Sequence, residues 1–190
     1  MKNHAERTSV RDRLLQTADQ LFYTEGLHAV GIDRIVAESK VAKSTMYVYF
    51  RTKEELIVEY LRHRSEMTRQ RIVAAVDARA DQPVSARVLT VFEVLDDIIS
   101  EPDFRGCAFV NAAAEYPDHQ GIRDAISADR RWLPRLLTGL LAEANAADPG
   151  LVDELVQLYD GANVMAHLDR SKNSAKTARR VAERLVADLD

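Results

Sequence analysis

Lys43, Ser44, Thr45, Tyr47, Tyr49 and Lys53 place two amines, two aliphatic hydroxyls and two phenols within eleven positions, with Arg34 shortly upstream. No nucleophile–base pair accompanies them, so the chemistry they offer is recognition rather than turnover. Amines and hydroxyls donate to phosphate oxygens and to base edges, the first giving affinity and the second sequence preference. Tyr47 and Tyr49 are two apart, so on a helix they point in different directions. One ring can stack inward while the other offers its hydroxyl to a phosphate. Lys53 falls in the first turn of a further helix, beside free backbone N–H groups that favour an anion.

The elements that must position these groups are legible around them. Val10, Leu14, Leu15, Ala18, Leu21 and Phe22 form one helical stripe over residues 9–24, opened by a Ser9–Asp12 capping pattern and stopped at Gly26. A short helix over 33–39 buries Ile35 and Val36, and a second over 43–50 carries Lys43 to Phe50. A third begins after Thr52, capped by Thr52 and Glu55, with Leu56, Ile57, Tyr60 and Leu61 inward, and runs to about residue 80. Two short helices joined tightly and followed by a capped long one form the layout of a helix-turn-helix module that lays a recognition helix in a major groove. Asp81, Gln82 and Pro83 mark the boundary between this part and the rest of the chain.

The stretch 14–56 resembles the DNA-binding domain of the TetR family of transcriptional regulators. The likeness rests on Leu21, Phe22 and Gly26, on Ile35-Val36-Ala37, and on Val41-x-Lys43-Ser44-Thr45-Met46-Tyr47-x-Tyr49-Phe50-x-x-Lys53-Glu54-Glu55-Leu56. It implies a three-helix DNA-binding domain over 1–54 and a helical effector and dimerisation domain over 55–190, joined by the helix 52–80. It also implies an all-α fold, double-stranded DNA as partner, contact with DNA at the position of Tyr47, and an inward-packed Phe50. Three positions depart from the family pattern. Gly31 and Ala42 stand where Ser or Thr commonly caps helices 2 and 3, and Lys40 stands where the turn usually has glycine, at a cost of roughly 1 kcal/mol if left-handed.

The remaining chain reads as helices over 84–100, 104–116, 121–146, 151–168 and 173–189. Pro134 lies inside the register 121–146, and an interior proline costs about 3 kcal/mol unless a kink absorbs it, so a bend or break is expected near 130–134. Segment 104–116 carries Asn111 and Glu115 four apart on an otherwise apolar helix. Two readings stay open for it: a close-packed helix whose two polar groups cap or pair, or the wall of an effector pocket. In the second reading Phe92, Leu95, Phe109, Asn111, Glu115, Trp132, Tyr159 and Met165 line the site of an unidentified small molecule. The resemblance further implies a homodimer through the helices near 121–146 and 151–168, reading a palindromic operator, with ligand relieving repression by changing the spacing of the two DNA-binding modules. Gly161, mid-helix, suits a close helix crossing at such a seam.

Charge and composition are compatible with this. The net charge of −4 divides into 13 basic against 10 acidic residues over 1–76, and 13 against 20 over 77–190. Over 34–53 five bases face one acid, which is where phosphates are expected. The apolar runs are too short to cross a membrane, residues 1–8 hold no signal-peptide core, and a single cysteine, Cys107, fits a reducing cytoplasm as a buried thiol. His4, His28, His63, His119 and His167 lack metal-ligand spacing, and no cofactor is expected. The alternatives are a constitutive DNA-binding protein without effector, an enzyme on a helical scaffold, and a protein-binding module.

Overall fold

A computed structural model describes residues 9–189, so His4 and the N-terminal stretch 1–8 lie outside the described residues. Ten helices and no strand occur among the described residues: α1 (Val10–Glu25), α2 (Ile32–Ser39), α3 (Lys43–Tyr49), α4 (Lys53–Asp77), α5 (Val84–Ile99), α6 (Ala108–Glu115), α7 (Gln120–Asp129), α8 (Trp132–Glu143), α9 (Pro149–Leu168) and α10 (Ser174–Leu185).

α1 starts where the Ser9 hydroxyl accepts from the amide of Asp12 at 3.1 Å and ends at Gly26, whose φ of +98° a side chain would strain. α2 and α3 have no side-chain cap: Gly31 and Ala42 begin them with bare backbone. α2 ends on Lys40 at φ 54°, ψ 40°, a left-handed residue whose N–H satisfies the carbonyls of Val36 and Ala37. α4 is better started, with the Thr52 hydroxyl accepting from Glu55 N–H at 3.1 Å while the Glu55 carboxylate reaches back to the amide of Arg51 at 2.8 Å.

The chain divides into two compact units, one running through His63 with Ala108–Ala125 added, the other comprising Arg64–Cys107 and Ile126–Asp190. The division falls inside α4, between the expected boundary at residue 54 and the turn at 81–83. The reason is the inward face of that helix. Leu56, Ile57, Tyr60 and Leu61 are buried in the first unit with Leu14, Phe22, Ile35, Met46 and Phe50. The Phe22 and Tyr60 rings meet edge-on at 5.6 Å, tying α1 to α4. Ile72 and Val76 instead enter the core of the second unit, with Val88, Phe92 and Leu95 of α5, Leu137 and Leu141 of α8, Leu155 and Tyr159 of α9, and Ala178 and Ala182 of α10. Each such Leu, Ile or Phe contributes about 1.5–3 kcal/mol relative to exposure.

The register expected as one helix over 121–146 is two. α7 stops at Asp129 and α8 begins at Trp132. Pro134 is the third residue of α8, in the first turn, where its missing N–H would have had no partner within the helix. Pro149 likewise opens α9, with the Asp148 carboxylate accepting from the amides of Gly150 and Leu151, both at 3.2 Å. Between α5 and α6, Gly106 (φ +82°) passes so near His167 of α9 that a Cβ would lie 2.7 Å from its Cγ.

Candidate nucleic-acid interface

α3 is seven residues long, anchored by one fully buried side chain, Met46, and closed by buried Phe50. Everything between those anchors points outward. Tyr47 is 44 %, Val48 78 % and Tyr49 44 % exposed. Lys43 and Ser44 are exposed and Thr45 is half-buried. A short helix that leaves valine and two tyrosines in water while burying almost nothing of its own is a poor stability element and a good contact surface. Neither tyrosine stacks inward, since both stay equally exposed. Tyr49 borders a groove of about 660 Å³ with Arg11, Thr52, Glu59 and Arg62, whereas Tyr47 does not. The Arg11 guanidinium lies over the Phe50 ring at 5.4 Å, covering the base of α3.

Two basic residues of the surface are held by acids. Lys43 Nζ pairs with Asp33 at 2.6 Å, and that hydrogen bond and charge raise the lysine pKa. Arg34 pairs with Glu25 and, at 2.8 Å, with Glu38, and its pKa is also raised, first by Glu25. These pairs are largely in water, where such contacts are worth about 0–1 kcal/mol, so a phosphate can displace them. Lys53 is different. It is partly buried, its Nζ donates to the carbonyl of His28 at 3.4 Å, and burial lowers its pKa. It is directed at the α1–α2 turn.

That turn has a second anchor, one of the two polar groups of segment 104–116 left to cap or pair or to line a pocket. Glu115, the last residue of α6, accepts from Leu27 N–H at 2.9 Å through one oxygen and from His28 N–H at 2.6 Å through the other. His28 Nε2 lies 2.7 Å from the Glu115 carbonyl, and its ring stacks on Tyr116 at 4.4 Å. Nothing local signals this arrangement, because the partners are 88 residues apart.

Of the residues expected around an effector, Phe92, Leu95, Trp132, Tyr159 and Met165 belong to the second unit, and Phe109, Asn111 and Glu115 to the first. Phe92 and Leu95 are core side chains and Trp132 packs against that core. Met165 is 53 % exposed, on the outer side of α9. Tyr159 is buried, and burial pushes its pKa up. Near it stand Cys107, Asp129, Asp160 and Arg71. Asp129, which sequence reasoning missed, is a half-buried carboxylate of this unit. Its Oδ1 accepts from Ser65 of α4 at 2.7 Å and from the Trp132 indole at 3.2 Å. Burial, outweighing those bonds, raises its pKa.

A three-helix module presenting an exposed third helix, followed by an all-helical unit, defines a helix-turn-helix regulator. The model for bacterial regulatory proteins of the tetR family matches residues 14–60, and that for the tetracyclin repressor-like C-terminal domain matches residues 84–182. A TetR-family transcriptional regulator from Streptomyces coelicolor superposes with a TM-score of 0.87 at 37 % identity, covering 98 % of this chain and 93 % of that one. The HTH-type transcriptional repressor NemR of Escherichia coli is 25 % identical over 197 residues, covering 98 % of each protein. The Bacillus subtilis regulator YxaF is 31 % identical over 101 residues, spanning 53 % of this chain and 52 % of its own length. The chain belongs to the TetR family of transcriptional regulators. No helix among the described residues is long and apolar enough to cross a membrane.

Proposed function

We propose that the protein is a ligand-responsive repressor that binds a palindromic operator as a homodimer in the cytoplasm and performs no catalytic step. The observation that carries the DNA-binding half is the outward face of α3: Lys43, Ser44, Tyr47 and Tyr49 stand in solvent on a helix held by Met46 and Phe50. Insertion of that face in a major groove puts Lys43, Ser44 and Thr45 toward base edges and phosphates, and Arg34 and Tyr47 toward the backbone.

Dimerisation is supported by α9. Val164, Met165 and Leu168 are exposed, and a side chain added at Gly161 would meet nothing within 4 Å in the chain itself. A second subunit crossing there would use that glycine for close approach. Responsiveness to a small molecule is supported by the second unit, where Asp129, Trp132 and Tyr159 bring polar groups into an apolar core.

The deciding experiment measures binding of the purified protein to the DNA upstream of its own gene, and to sites chosen from a random pool, at two salt concentrations, beside the Lys43→Ala/Tyr47→Ala variant. Specific binding that weakens with salt and falls at least about thirtyfold in the variant, two lost contacts at about 1–3 kcal/mol each, is the expected result. Equal, sequence-independent binding by both proteins would sink the reading.

A further inference from the structure

The helix-turn-helix of this protein is short of internal support. Neither α2 nor α3 has a side-chain cap, and Lys40 holds the turn between them in a left-handed conformation that glycine would adopt without strain. The α1–α2 turn that sets the direction of α2 is nevertheless well ordered in its bonding, and the bonds come from outside the motif. Two successive amides, Leu27 and His28, are taken by the two oxygens of one carboxylate, Glu115. A charged acceptor on backbone N–H groups is the strong form of the hydrogen bond. The contact is returned by the His28 imidazole on the Glu115 carbonyl and by the His28–Tyr116 stack. Lys53, the first residue of α4, takes the His28 carbonyl. Gly26 lies beside the carboxylate, a Cβ there falling in ordinary contact at 3.4 Å from Glu115 Oε1, and it is the φ of +98° that calls for glycine.

We infer that Glu115 is a positioning residue for DNA binding: its carboxylate fixes the α1–α2 turn and so the angle at which α2 and α3 meet the groove, the task that the absent helix caps would otherwise share. The inference rests on the proposed DNA-binding role of α3. Glu115 touches no DNA and acts through Leu27 and His28. It therefore governs fit to the specific site, which demands one arrangement of both helices, far more than loose attachment to phosphates, which tolerates many.

The test uses the full-length protein with Glu115→Ala, and with Glu115→Gln, which keeps the size and a single acceptor oxygen. Two quantities are read: hydrogen–deuterium exchange at the Leu27 and His28 amides against those in the middle of α1 and α4, and affinity for the selected operator against random-sequence DNA at the same salt. In Glu115→Ala, exchange at the two amides rises at least about tenfold while mid-helix protection holds; operator affinity drops about tenfold or more and affinity for random DNA changes less than about twofold, with Glu115→Gln intermediate. Unchanged exchange at Leu27 and His28 overturns the inference. So does wild-type operator affinity in Glu115→Ala, and so does a loss of protection throughout α1 and α4, which marks a merely structural role. If the wild type itself shows no preference for any site, the DNA-binding reading has failed and the inference falls with it; a selective wild type with an equally selective variant removes the inference alone.

Discussion

At the scale of single residues, the surface proposed to face DNA holds two of its cations against carboxylates. Lys43 leans on Asp33, and Arg34 is shared by Glu25 and Glu38. Both cations must leave these carboxylates to reach a phosphate, and the carboxylates are then left near the polyanion. Asp33→Asn should therefore tighten operator binding, by about two- to tenfold at low salt, with the gain shrinking as salt screens the repulsion. A titration of the variant against labelled operator at two salt concentrations checks it; weaker binding would mean that Asp33 orients Lys43 productively. The Arg34–Glu38 pair follows from a spacing of four on one helix, but the pairing of Lys43 with Asp33 was not legible in the sequence. The spacing from Asp33 to Lys43 crosses the turn between two helices, so only the turn geometry set by Lys40 brings them to 2.6 Å.

Among the elements, α2 and α3 are where local preference and tertiary need disagree. Gly31 is a tolerable cap that offers no side-chain acceptor, while the bare cap at Ala42 and a left-handed lysine are unfavourable by themselves. The burial of Ile35, Val41, Met46 and Phe50 outweighs them. Relieving the one strained backbone should show directly. Lys40→Gly should stabilise the fold by about 0.5–1 kcal/mol, raising Tm by a few degrees in thermal unfolding followed by circular dichroism. A lower Tm would mean that the lysine side chain contributes more than its backbone costs. The strain was readable beforehand, because a lysine in the place of a turn glycine announces it. So was the break before α8, because Pro134 could not continue a single helix. The start of α6 was less so: a helix was expected from 104, but α6 begins at Ala108, after Gly106 at positive φ against His167.

For the molecule as a whole, Asp129 is a carboxylate whose burial has a pH signature. Its pKa is raised by burial, against the lowering effect of Ser65 and Trp132. The folded state therefore binds this proton more tightly than the unfolded chain. The group favours folding at acid pH, and that advantage is lost as pH rises from the unfolded carboxyl range, about 3.9, through the raised folded value; above it the cost of a half-buried charge is complete. Asp129→Asn keeps an oxygen acceptor for Ser65 and Trp132 and removes the charge. The variant should be more stable than wild type at neutral pH, with the difference closing as pH falls toward about 4. Melting temperatures across that range check it, and a difference independent of pH would show that the charge is not the cause.

The sequence alone determined the class of fold and the reading head. Helical periodicity, capping at Ser9 and Thr52, and the run from Val41 to Leu56 depend on neighbours within a turn or two, so they can be read from order along the chain. The family followed from the same run. Only the tertiary structure decided how that head is supported. The pairing of Glu115 with Leu27 and His28, the sharing of α4 between two units, and the placing of Asp129 against Ser65 join residues tens of positions apart. Such contacts are chosen by how helices pack, and packing depends on the shapes of whole faces, which no spacing along one strand of residues records.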